Sequence, residues 1–249
     1  MILAVSLGIL SAVATIFAAL LQRSWSDSRI RMPRHESIKF RDMHESASFS
    51  VQDVAKILDL TESSADDPQR NPGTAILSDS YLIRRESDKG NGMVFRYASR
   101  GNIEGRCASH TGNHSIASYE STHFPVAKVI SVPLPDLAVS STTRITNEMT
   151  FTGAFDGAEE EDFCTHIERP IRSLTIFVFF PQGKPCRLAS GEFRIGERSP
   201  YKPVNGSDRP LIVENGRLLY WRVVPKTGTW LHVDATYRLG WAWGRTGAD

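Results

Sequence analysis

From Leu231 to Trp243 the chain alternates with almost no break. Leu231, Val233, Ala235, Tyr237, Leu239, Trp241 and Trp243 fall on one parity, and His232, Asp234, Thr236, Arg238 and Gly240 on the other. That is the period of a strand with one buried and one wet face, and no helix satisfies it. Arg144 to Phe155 repeats the pattern, with Ile145, Asn147, Met149 and Phe151 opposite Thr146, Glu148, Thr150 and Thr152. Ser173 to Phe180 (SLTIFVFF) is apolar on both parities and should lie inside a sheet. Val126 to Leu134 reads as a strand ended by Pro133 and Pro135, and Glu192 to Ile195 as a short one. Two hairpins are expected. Leu211 to Glu214 and Arg217 to Val224 flank Asn215-Gly216, the preferred pair for a two-residue turn, while Tyr81 to Arg84 and Met93 to Tyr97 flank Asp88 to Gly92. Regularly spaced strands with turn signals between them describe an antiparallel β-sandwich or a barrel-like domain.

One helix is expected within this β-rich part. Val51, Val54, Ala55 and Leu58 are spaced i, i+3, i+4, i+7, with Ser50 placed to open the helix and Asp53 in its first turn. The string SVQDVAKILDLTESS resembles the first helix and turn of helix-turn-helix readers. The resemblance covers only about 15 residues, and Asp66 to Gly73 is a loop where a recognition helix should stand. The spacing therefore predicts a short amphipathic helix packed on the sheet.

The N-terminus has a different character. Ile2 to Gln22 contains no charged residue. As a helix at ~1.5 Å per residue it would be about 31 Å long, close to the ~30 Å hydrocarbon core of a bilayer. A cleaved signal peptide would want a basic n-region, which is missing, although Ser11-Ala12-Val13-Ala14 offers a small-x-small site. Arg23, Arg29, Arg31, Arg34, Lys39 and Arg41 follow the apolar run, so the positive-inside rule leaves the C-terminal bulk in the cytoplasm. Gly8, Ser11, Ala12 and Thr15 form a small-residue stripe through which two copies would pack closely as a homo-oligomer. The expected organisation is a single-pass transmembrane anchor (1–22), a basic juxtamembrane linker (23–46), a helix plus β-rich region (47–135) and an antiparallel β region (136–245).

Charge and cysteine narrow the function. The chain has 29 Lys plus Arg against 28 Asp plus Glu, a net +1. That excludes a nucleic-acid binder working through bulk positive charge. Cys107, Cys164 and Cys186 are odd in number and fit free thiols in a reducing compartment. The sequons Asn113-His-Ser115 and Asn205-Gly-Ser207 would matter only on the other side of a membrane. No Gly-x-Ser-x-Gly, Walker A, dinucleotide-binding or His-Glu-x-x-His motif is present, and no cofactor is expected.

The candidate chemistry is sparse. Cys107-x2-His110-x3-His114, with His123 nearby, offers thiolate and imidazole at spacings a zinc ion would accept, but without a paired Cys-x2-Cys knuckle. Glu159 to Asp162 reads as an exposed acidic loop, with Cys164 and His166 beyond it on one strand face. Trp230, His232 and Arg238 share the wet parity of the last strand and form the candidate ligand-binding set. These features describe a membrane-tethered, cytoplasmic, non-catalytic module, a sensor or effector, that binds a protein or small-molecule partner. A metal-dependent enzyme using the Cys107/His110/His114 loop, and a secreted or periplasmic β domain, are the alternatives.

Overall fold

The computed structural model describes residues 48–62, 73–90, 92–107, 114–118, 126–155, 160–196, 198–204, 208–225 and 230–243. The expected anchor and linker lie outside them. No helix among the described residues is long and apolar enough to cross a membrane.

The described chain is mainly β, with its strands in three sheets and no closed barrel. In chain order the strands are β1 (Phe49–Asp59), β2 (Thr74–Arg85), β3 (Gly92–Ser99), β4 (Asn102–Cys107), β5 (Ser115–Ser118), β6 (Val126–Pro133) and β7 (Thr142–Thr152). They continue with β8 (Glu160–His166), β9 (Ile171–Phe179), β10 (Cys186–Ile195), β11 (Lys202–Pro203), β12 (Leu211–Val213), β13 (Leu218–Val223) and β14 (Ala235–Trp243). The largest sheet runs β12-β13-β9-β1-β2-β7-β4, the second β11-β10-β14-β8, and the third β3-β6-β5. Strands from both sides of residue 135 share the seven-stranded sheet.

β7 and β9 lie where the alternation and the doubly apolar run place them, and β9 is interior, between β13 and β1. Ile145, Asn147, Met149 and Phe151 are buried. One shared core collects Val51, Leu58, Met93, Ile130, Ile176, Trp221, Leu239 and Trp241 from all three sheets. Where β13 meets β10, a Cβ on Gly191 would stand 2.9 Å from the Trp221 ring, so only glycine admits that indole.

Four expectations are corrected. The helix over Val51–Leu58 is instead the strand β1. Its register shifts between Val51 and Asp53, a β-bulge, and beyond it Val54, Lys56, Leu58 and Leu60 are buried at period 2. The bulge stretches the Val51-to-Val54 interval to three residues, and Lys56 puts a charge on the inward parity. Together these counterfeit a helical stripe.

The sheets are not purely antiparallel either, since β1 pairs parallel with β9 over Val51–Asp59. The hairpin across Asp88–Gly92 does not form, because β2 pairs with β1 and β7 whereas β3 pairs with β6. Buried Arg85 directs that crossing. Its guanidinium donates to the carbonyls of Ser87 (3.1 Å), Gly90 (3.3 Å), Pro135 (3.1 Å) and Leu137, pinning the loop to the segment after β6. The hairpin at Asn215-Gly216 does form, but Val213 pairs with Leu218, so four residues make the turn rather than two. Glu214, Asn215 and Gly216 all take positive φ there (53°, 57° and 84°).

Candidate functional site

The polar centre of the molecule is one row of residues across the seven-stranded sheet. Lys56 on β1 is registered with Asp79 on β2, and Asp79 with Asn147 on β7. All three are buried, Asp79 and Asn147 completely. Lys56 Nζ donates to Asp79 Oδ2 at 2.6 Å, and the Tyr81 hydroxyl donates to the same oxygen at 2.9 Å. From the three-stranded sheet, Tyr97 accepts a hydrogen bond from Asn147 Nδ2 at 3.0 Å. The Lys56 ammonium lies 5.6, 6.0 and 5.9 Å from the ring centres of Tyr81, Tyr97 and Phe163. Such rings offer their negative faces to a desolvated cation.

A cavity of about 150 Å³ opens beside this row, where all three sheets converge. Its wall includes Lys56, Tyr81, Phe95, Tyr97, Phe163 and Arg169. Burial, reinforced by the Asp79 carboxylate, pushes both the Tyr81 and Tyr97 phenols well above their ordinary value of 10.0. Both therefore stay protonated, as hydrogen-bonding groups rather than nucleophiles.

The candidate Arg238 belongs to a second cluster, on the strip formed by β10, β14 and β8. Register aligns Glu192, Arg238 and Cys164 across these strands. Arg238 Nε donates to Glu192 Oε2 at 2.9 Å and NH2 donates to the same oxygen, with Asp162 4.0 Å away. The Tyr201 ring stacks on the guanidinium carbons of Arg238 (4.1 Å) and Arg194 (4.8 Å). Cys164 Sγ is 4.0 Å from the Tyr201 hydroxyl, and burial, then Asp162, pushes its thiol up to about 11.

The structure does not bring Trp230 and His232 to that cluster as partners on one strand. β14 begins only at Ala235, after a turn in which Asp234 takes φ 63°. The alternation of 231–234 is thus a turn that mimics a strand. Trp230 is half-buried, and His232 is exposed with Nδ1 on the Val233 carbonyl.

Of the metal candidates, Cys107 and His114 come together, the Cys107 backbone N–H donating to His114 Nε2 at 3.3 Å. His110 and His123 lie outside the described residues. Among the described residues no three His, Cys, Asp or Glu side chains could hold a metal ion. The acidic stretch is not a loop from Glu160 on, because Glu160, Glu161 and Asp162 begin β8.

Sequence reasoning missed Lys56, Asp79, Tyr81, Tyr97 and Arg169. The available signal was a charged residue on the inward parity of a strand: Asp79 follows Ala75 and Leu77, and Asn147 interrupts Ile145 and Met149.

No protein-family model matches the chain, and no curated protein matches it. Solved structures do. One is described as a "putative protease" from Parabacteroides distasonis ATCC 8503, at 10% identity and TM-score 0.45, covering 79% of this chain and 40% of that one. Another is yeast LTA4 hydrolase in complex with bestatin, at 7% identity and TM-score 0.40, covering 85% of this chain and 33% of that one. The chain thus spans less than half the length of either, and a likeness this weak carries no argument about activity.

Proposed function

We propose that this chain is a non-catalytic binding module, a β-sandwich held at the cytoplasmic face of a membrane by residues 2–22, with the cavity beside Lys56 as its ligand-receiving place. The observation that carries the reading is the mutual bonding of the polar groups there, which leaves only Asp79 Oδ1 and Asn147 Oδ1 of the row without a partner. Lys56, Asp79 and Tyr81 are bonded to one another, and Asn147 to Tyr97. The Tyr81 and Tyr97 phenols titrate still further above neutral pH than an ordinary tyrosine, whereas a general base works best with its pKa near the operating pH. Groups held in this way orient a guest instead of attacking it. The tether is supported by the charge-free run and the arginines after it. A guest that stiffens the junction of three sheets would suit a sensor or effector.

Two measurements test this. Ligand-observed NMR with a library of small fragments should give hits that disappear in Val54→Phe, whose added ring fills the cavity, while cooperative melting is retained. Hits that survive Val54→Phe, or turnover of any bound compound, overturn the reading. Separately, the full-length chain should sediment with membranes, and its C-terminal tail should resist protease added to intact cells.

A further inference from the structure

Resting on the cavity as the ligand-receiving place, we infer that its guest is a small organic monocarboxylate with an apolar or aromatic body, its carboxylate seated against Arg169. The inference starts from an imbalance of charge. Lys56, Arg96 and Arg169 line the cavity, and among the described residues the carboxylates facing them are Asp79 and Glu168. Asp79 is taken by Lys56 at 2.6 Å. Glu168 Oε2 is taken by the exposed Arg96 at 2.9 Å and stands 4.0 Å from Arg169 NH2. Three cations thus share two carboxylates, and of the two buried cations Arg169 is the one left short.

Arg169 is only 8% exposed. Its hydrogen bonds run to neutral atoms, from NH1 to the Met93 thioether and from NH2 to the Val94 carbonyl, both at 2.9 Å. A guanidinium has five N–H groups in a planar fork that matches a carboxylate. Burying it with only a shared carboxylate oxygen at 4.0 Å is costly, and that cost is relieved when an anion enters. Burial accordingly lowers its pKa, although Glu168 opposes the shift.

Size and wall chemistry define the rest of the guest. About 150 Å³ is below the roughly 300–1,000 Å³ of drug-sized pockets and close to that of a cavity that holds benzene. Phe95, Phe163, Leu77, Phe151 and Val54 give it an apolar wall. A single ring or a short branched chain fits that volume, and a peptide does not.

The test is calorimetric titration of the full-length chain in detergent micelles with benzoate, benzamide and benzylammonium, which share a ring and differ in charge. Benzoate should bind at least about tenfold more tightly than benzamide, with benzylammonium weakest. Arg169→Gln should abolish the preference for benzoate. Because that variant also disturbs a buried site, Glu168→Gln provides a gain that misfolding cannot imitate: removing the competing carboxylate should tighten benzoate several-fold and leave benzamide unchanged. Benzamide binding as tightly as benzoate, tighter benzylammonium, or no gain in Glu168→Gln overturns the carboxylate assignment while leaving the cavity as a binding place. If no probe and no library fragment binds there, both fall.

Discussion

Two of the cation–carboxylate pairs lie in opposite surroundings. Lys56–Asp79 is buried at the junction of the sheets, whereas Arg238–Glu192 lies on a strand face with both side chains roughly one-third exposed. The contact geometry is similar, but the energetic meaning is not. The inner pair has left water and depends on its partners, so losing one member strands the other in a low dielectric. The outer pair trades one hydrated state for another and is screened by salt. A close ion pair is therefore a measure of stability only once its solvent is known.

The contrast can be broken most forcefully from the inside. Lys56→Met or Asp79→Leu alone should cost about 3–5 kcal/mol in denaturant melts, whereas the double replacement should be close to neutral. Additive single effects would mean that the pair is not coupled. Next in size is Tyr97→Phe, which leaves Asn147 Nδ2 without its acceptor and should cost about 1–3 kcal/mol. It also bears on the response to alkali. The unfolded chain ionises Tyr81 and Tyr97 near 10.0, while the folded chain holds both protons to higher pH. The native state then binds more protons, so this stability is complete below about pH 10 and is lost as pH rises above it. Tyr97→Phe should make that alkaline decline shallower.

Outside, Glu192→Gln should cost only about 0–1 kcal/mol, and less at high salt. A loss as large as that of Asp79→Leu would erase the distinction between the two pairs. The gentlest probe is chemical. Alkylation of Cys164 should be slow at pH 8 and accelerate as pH approaches about 11, because burial and Asp162 hold the thiol protonated.

Legibility followed the same divide between regular and interrupted pattern. β7 and β9 could be read directly, since one keeps period 2 and the other is apolar on both faces over most of its length. β1 could not. One extra residue at its bulge shifts the parity, and Lys56 occupies a core position. The β2–β3 connection departs from the expected hairpin because turn residues announce a reversal without saying which strands pair. Arg85 decides that through carbonyls some fifty residues away. Of the candidate site, Asn147 stands in the apolar row of the β7 sequence, but nothing there names its partners. The row Lys56–Asp79–Asn147 exists only in register, and Arg169 follows the end of β8, where no periodicity marks it.

The parallel pairing of β1 with β9 has a consequence for how the chain is made. Asp53 and Ser173, hydrogen-bonded at 2.6 Å, are 120 residues apart. A ribosome releases β1 long before its second neighbour exists. Until then one side of β1 presents unpaired amide and carbonyl groups beside Val51, Val54 and Leu58, an edge open to any other strand. Nascent or truncated products ending ahead of Phe179 should therefore aggregate or hold chaperones, and refolding of the whole chain should be slow, paced by the closing of that long loop.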